Sequence, residues 1–226
     1  MEKNINIDSI IIVAKALKEL LPKIVFVGGA TVSLYADDPA SDEIRPTDDL
    51  DLTIQLTGYS ELVKLQKRLT ELGFLPNPFG HAICSYLYED ISLDIMPSED
   101  GPLGKANSWY KPGFDFLKEI ILQNIKINIL SAPYFLATKF EAFNDRGKDH
   151  RTSHDFEDII YIIDNRINVV DEIRSSDKKV RNFLNEEFSK IMKNPNLEEI
   201  ISSQLNPHSI NERYPIVIKN ITDILS

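Results

Sequence analysis

The chain has 226 residues, 42% hydrophobic and 27% charged, with 35 acidic against 25 basic side chains and a formal net charge of −10. That length buries a substantial core as one large or two small domains, and the acidic balance argues against a general phosphate-backbone binder, a local basic patch aside. A single cysteine, Cys84, excludes an internal disulfide framework and, among apolar neighbours, reads as core packing in a reducing compartment.

The opening residues MEKNINIDS lack a basic region running into an apolar signal segment, and no stretch reaches the roughly 18 apolar residues of a membrane span. A cytoplasmic location without a membrane partner is the expectation. From Asp8 to Leu21, Ile11, Ala14, Leu17 and Leu21 recur at helical spacing, with Asp8 or Ser9 as cap and Pro22 as stop. Lys23 to Val27 is a short apolar strand ended by Gly28 and Gly29. Ala30 to Tyr35 reads as a short helix whose free N–H groups would face an anion beside that glycine pair. The loop from Ala36 to Asp48 is crowded with acids against a lone Arg45, and is expected to be solvated and mobile.

From Asp49 the residues run Asp, Leu, Asp, Leu, Thr, Ile, Gln, Leu. A period of two sends Asp49, Asp51, Thr53 and Gln55 to one strand face and leaves the other apolar. Two carboxylates on one face repel each other unless a cation sits between them, and a divalent metal is the usual answer. Ser60 to Gly73 carries Leu62, Leu65, Leu69 and Leu72 at helical spacing. Ala82 to Tyr88 and Ile91 to Met96, separated by Glu89-Asp90, suggest a hairpin. On its second strand Asp94 is a lone carboxylate, either an edge residue in water or a third member of the acidic site.

Gly101 to Gly113 reads as a long loop in which Trp109 and Tyr110 either anchor to the core or offer a stacking surface. Ile120 to Leu122 and Ile125 to Leu130 supply two more strands. Helices dominate from there: Ser131 with Pro133 opens one running to Phe143, and Ser153 caps another with Asp155, Glu157 and Asp158 in its first turn. Val169 to Ile173, Lys178 to Met192, Leu197 to Leu205 and Ile216 to Leu225 continue the series. His81, His150, His154 and His208 lack metal-ligand spacing, and Lys178 to Arg181 reads as a solvated helix face.

The glycine pair after a strand, the short helix and then Arg45-x-Thr47-x-Asp49-x-Asp51 resemble the nucleotidyltransferase superfamily, in particular its AbiEii/AbiGii-type abortive-infection toxins. The stretch from Ala137 to Ile163 resembles the same family in its helix-borne Lys139, then Arg146, Lys148, Asp155 and Asp158. In all, the resemblance spans Phe26 to Asn165. It implies an α/β fold, a mixed β-sheet flanked by helices over residues 1–130, followed by a helical domain over 131–226 that closes the nucleotide cleft. It also implies a site in which Gly28 and Gly29 lie against the triphosphate, and Asp49, Asp51 and Asp94 hold two Mg2+ ions. Lys139 and Arg146, with Asp155, would serve the phosphates, although Lys139 also reads as a solvated helix lysine and Asp155 as a capping acid.

The implied reaction moves a nucleoside monophosphate from a nucleoside triphosphate to an acceptor hydroxyl on transfer RNA or on a protein. A toxin of this kind would be neutralised by a separate antitoxin protein. Two other classes remain open on the residues alone: an Asp-x-Asp glycosyltransferase, and a nucleotide-binding module without catalysis.

Overall fold

A computed structural model describes residues 5–42, 44–56, 58–80, 84–101, 104–146 and 149–226. Lys148 of the sequence pattern, His81 and the expected strand start at Ala82 lie outside them. Two compact units emerge, Met1–Thr31 with Arg45–Ser131, and Val32–Ile44 with Ala132–Ser226.

The first unit is built on a seven-stranded mixed sheet. Its elements in chain order are α1 (Ile5–Leu17), β1 (Ile24–Val27), β2 (Asp49–Ile54), α2 (Tyr59–Glu71), β3 (Leu75–Pro76), β4 (Ser85–Tyr88), β5 (Ile91–Pro97), α3 (Tyr110–Gly113), β6 (Leu117–Leu122) and β7 (Ile125–Leu130). The strand order is β3-β4-β5-β2-β1-β7-β6. β2 lies antiparallel to β1 and parallel to β5, while β1 runs parallel to β7. All four residues of β1 are buried, as its continuous apolar run requires of a strand deep in the sheet. On β2 Leu50, Leu52 and Ile54 are buried while Asp49 and Asp51 stay half-exposed, and the alternation gives way at Thr53, which is fully buried.

Local signals set several boundaries. α2 buries Leu62, Leu65 and Leu69 and ends where Gly73 takes φ +94°, with Phe74 N–H donating to the Leu69 carbonyl at 2.9 Å, a six-to-one helix-closing bond. β6 and β7 join through Gln123 and Asn124, both at positive φ, the backbone a two-residue hairpin prefers. α1 stops sooner than its apolar spacing suggests, because Lys18 adopts φ +49° and Lys18–Lys23 continues as a 3-10 turn containing Pro22. The two-residue β3 had no sequence signal; it pairs with β4 and lies against α2.

A 3-10 helix, Gly29–Tyr35, carries the chain out of the first unit. The second unit comprises α4 (Ala132–Asp145), α5 (His154–Asn165), α6 (Val169–Ser175), α7 (Lys178–Met192), α8 (Leu197–Ser202) and α9 (Ile210–Leu225). α4 packs against α5, α6 and α7, and α9 against α5, α6, α7 and α8. Phe140 of α4 meets Phe188 of α7 edge to face at 5.1 Å. Ser153 caps α5 as its position predicts, its hydroxyl accepting from Phe156 N–H at 3.3 Å.

The acidic loop after Tyr35 is solvated, as its composition suggests, with Asp37, Asp42 and Asp48 exposed, and its first residues are also tied to distant helices. Asp37 and Asp38 N–H groups donate to the Asn165 carbonyl at 3.0 and 3.1 Å. Arg213 of α9 reaches Asp38 at 2.7 Å and Asp164 at 2.9 Å, and Arg166 grips Glu172 with two nitrogens while donating to the Tyr35 carbonyl at 2.8 Å. Tyr161 hydroxyl donates to the Asp42 carbonyl at 3.0 Å. The loop's charge is met by arginines more than a hundred residues further along, beyond the reach of local composition. Among the described residues, no helix is long and apolar enough to cross a membrane.

Candidate metal centre

The acidic face of β2 meets the acidic face of β5. These strands run parallel with Asp51 opposite Asp94 and Asp49 opposite Ser92, so the period of two that aligns Asp49 with Asp51 also brings Asp94 beside them. One carboxylate oxygen from each of Asp49, Asp51 and Asp94 lies within 4.8 Å of the other two, and all three residues are half-exposed. Like charges directly opposite on neighbouring strands are destabilising, and oxygen-only donors at this separation suit a hard divalent cation. The residues present therefore fit such an ion, and Asp94 does not lie on an edge strand, since β5 sits between β4 and β2.

The local negative field registers on a neighbour. Burial, and after it the charge of Asp94 and then Asp51, pushes the Cys84 thiol up from its ordinary range, consistent with a packed and unreactive cysteine.

Three features hold the acids in place. Gly28 takes φ +70°, and a Cβ built on it would stand 2.0 Å from Asp51 Oδ2, so the first glycine is required by both its backbone and the carboxylate packed on it. Thr31 closes that turn, its N–H and hydroxyl both donating to the Gly28 carbonyl at 3.3 and 3.0 Å. On the approach to β2, the buried Asn6 of α1 donates to the Arg45 carbonyl at 3.1 Å and accepts from Thr47 N–H at 3.0 Å, while Thr47 hydroxyl donates to the Asp49 carbonyl at 3.0 Å. On β4, Ser85 stands opposite Asp94 and its hydroxyl donates to Asp94 Oδ1.

Sequence reasoning missed Asn6 and Ser85. The second was recoverable: a two-residue turn at Glu89-Asp90 fixes a register in which residue 85 faces residue 94. The first was not, because nothing local ties α1 to the entry of β2. Gly29 begins the 3-10 helix that follows the turn.

Lys139, Arg146 and Asp155 belong to the helical unit. Lys139 is buried, its ammonium 2.7 Å from Asp158 and 3.1 Å from Asp155, and Asp155 in turn accepts from Arg146 at 3.0 Å. The Arg146 side chain is 74% exposed. Lys139 is thus no solvated helix lysine; its charge is matched inside the unit. Trp109 and Tyr110 are buried, so these aromatics anchor their segment to the core, and the stretch expected to be loop as far as Gly113 ends instead in the short helix α3.

No family model matches the chain, and no curated protein matches it. Among solved structures, an antigenic nucleotidyltransferase-like protein from Paracoccidioides brasiliensis is similar, with 18% identity and a TM-score of 0.52 over 91% of this chain and 95% of that one. At that identity the likeness speaks to architecture, and it agrees with the mixed sheet and following helices: the chain has a nucleotidyltransferase-like fold.

Proposed function

We propose that this protein is a divalent-cation-dependent nucleotidyltransferase. The observation that carries the proposal is the convergence of Asp49, Asp51 and Asp94 within 4.8 Å on central strands of a nucleotidyltransferase-like fold. In the reaction, an acceptor hydroxyl oxygen forms a bond to the α-phosphorus of a nucleoside triphosphate. The α–β phosphoanhydride bond breaks, pyrophosphate leaves with the electron pair, and the hydroxyl proton passes to a base or to water.

Mg2+ held by the three carboxylates would offset negative charge on the phosphates and on the attacking oxygen, a two-ion arrangement being the one we favour. The chain's own part is to present three carboxylates in fixed register and to bring the Gly28 backbone close beside Asp51, with no side chain in the way. Preorganised charge of this kind is commonly the largest catalytic contribution, and one lost donor costs roughly 10² to 10³ in rate in other systems. The sequence resemblance alone proposes Lys139, Arg146 and Asp155 for the phosphates; within the helical unit Lys139 is paired with Asp155 and Asp158, and Arg146 with Asp155. The sequence resemblance extends the proposal to an AbiEii-type toxin that modifies transfer RNA or a protein hydroxyl, restrained by an antitoxin protein, in the cytoplasm.

Incubation with α-labelled nucleoside triphosphates, Mg2+ and total cellular RNA or protein tests this. Transfer of label is expected with the native chain and is expected to fall at least about 10²-fold with Asp49→Ala or Asp51→Ala. Undiminished labelling by those variants would place the chemistry elsewhere.

A further inference from the structure

Resting on the metal centre proposed above, we infer that Ser85 is a positioning residue that fixes the Asp94 carboxylate for the cation. Asp94 reaches the acidic cluster from a different strand than Asp49 and Asp51, and the last torsion of an aspartate is broad and loosely held by itself. Ser85, directly opposite on β4, supplies the restraint: its hydroxyl donates to Asp94 Oδ1 and so sets the plane of that carboxylate.

The serine is in turn held from behind. Ser85 is 3% exposed, and a Cβ built on Gly80 would stand 2.2 Å from Ser85 Cβ and 2.3 Å from its Oγ, so Gly80 packs directly against the serine with no room for a side chain. The turn that delivers Gly80 is pinned to both strands. Asn77 N–H donates to the Ser85 carbonyl at 2.9 Å, Gly80 N–H to the Asn77 carbonyl at 3.2 Å, and the Asn77 side-chain amide to Ser92 Oγ at 3.3 Å. Ser92 is the register partner of Asp49. A turn whose hydrogen bonds run to the neighbours of two proposed ligands is a support for the ligand set. Outer-shell partners of metal-binding carboxylates typically carry 10- to 100-fold in affinity.

Mn2+ titration at constant ionic strength, with free ion followed by electron paramagnetic resonance, tests this on the native chain, Asp51→Ala, Ser85→Ala and Gly80→Ala. Asp51→Ala is expected to abolish binding. Ser85→Ala is expected to weaken it by about 10- to 100-fold and to raise the number of fast-exchanging waters on the bound ion, while the metal-free unfolding midpoint moves by no more than about 4 °C. Gly80→Ala, which keeps the hydroxyl but displaces it, is expected to weaken binding in the same direction.

Native-like Mn2+ affinity and water number in Ser85→Ala would overturn the inference while leaving the metal centre intact. So would a loss of affinity accompanied by a large fall in the metal-free midpoint, since Ser85 would then be a structural residue. Binding that persists in Asp51→Ala, or is absent from the native chain, would remove the metal centre itself and this inference with it.

Discussion

Gly28 shows how much a single position can settle. Its left-handed backbone is affordable for glycine and costs other residues about 1–2 kcal/mol, and the space its missing side chain leaves is filled by the Asp51 carboxylate. Gly28→Ala is therefore expected to destabilise the sheet unit by at least that amount in urea unfolding and, by displacing Asp51, to weaken Mn2+ binding as well. An alanine variant with unchanged affinity would mean that Asp51 has room to retreat. At this scale the acids were legible, because alternation is a local pattern and put Asp49, Asp51 and Asp94 on their faces before any fold was known. The glycine's contact with Asp51 was not legible, since the pairing of Val27 with Asp51 across β1 and β2 creates it.

Between elements, the junction of α4 and α5 turns on a buried ionic group. Lys139 lies 2.7 Å from Asp158 and 3.1 Å from Asp155, with its side chain only 10% exposed and theirs at 1% and 5%. Such a group adds little net stability against an apolar replacement, yet removing one partner strands charge in the interior. Lys139→Met is expected to cost about 3–5 kcal/mol in equilibrium unfolding, with much of it recovered when Asp155→Asn and Asp158→Asn are added. A single variant within about 1 kcal/mol of native stability would show that water reaches the carboxylates. Periodicity could place Lys139 on a helix but not choose its face, because α4 is apolar on nearly every side and has no distinct solvent stripe. The acidic residues at the start of α5 read as dipole partners by position, and Ser153 does cap that helix; Asp155 and Asp158 nevertheless point their charge inward to Lys139.

For the molecule as a whole, a net charge of −10 includes three carboxylates brought together by folding alone. A cation bound only by the folded chain stabilises it by mass action. Mn2+ at 100 times its dissociation constant is expected to add about 2.7 kcal/mol, read as a rise in the unfolding midpoint at fixed ionic strength, and Asp51→Ala should abolish the rise. Equal rises in both proteins would trace the effect to general screening of an acidic chain.

Taken alone, the sequence determined the elements whose signals are local: the strand-glycine-glycine turn, the alternating acidic strand, the run of helices in the second half with Ser153 capping α5, and the strand faces that carry Asp49, Asp51 and Asp94. The tertiary structure alone decided which residues surround those acids and where the acidic loop goes. Strand register brings Ser85 to Asp94, α1 brings Asn6 to the entry of β2, and Arg166 and Arg213 gather residues 35–38 onto distant helices. The reason is one of range. Periodicity and capping act within a few residues along the chain, whereas the partners of a buried or clustered charge are set by whichever segments the packed core brings alongside.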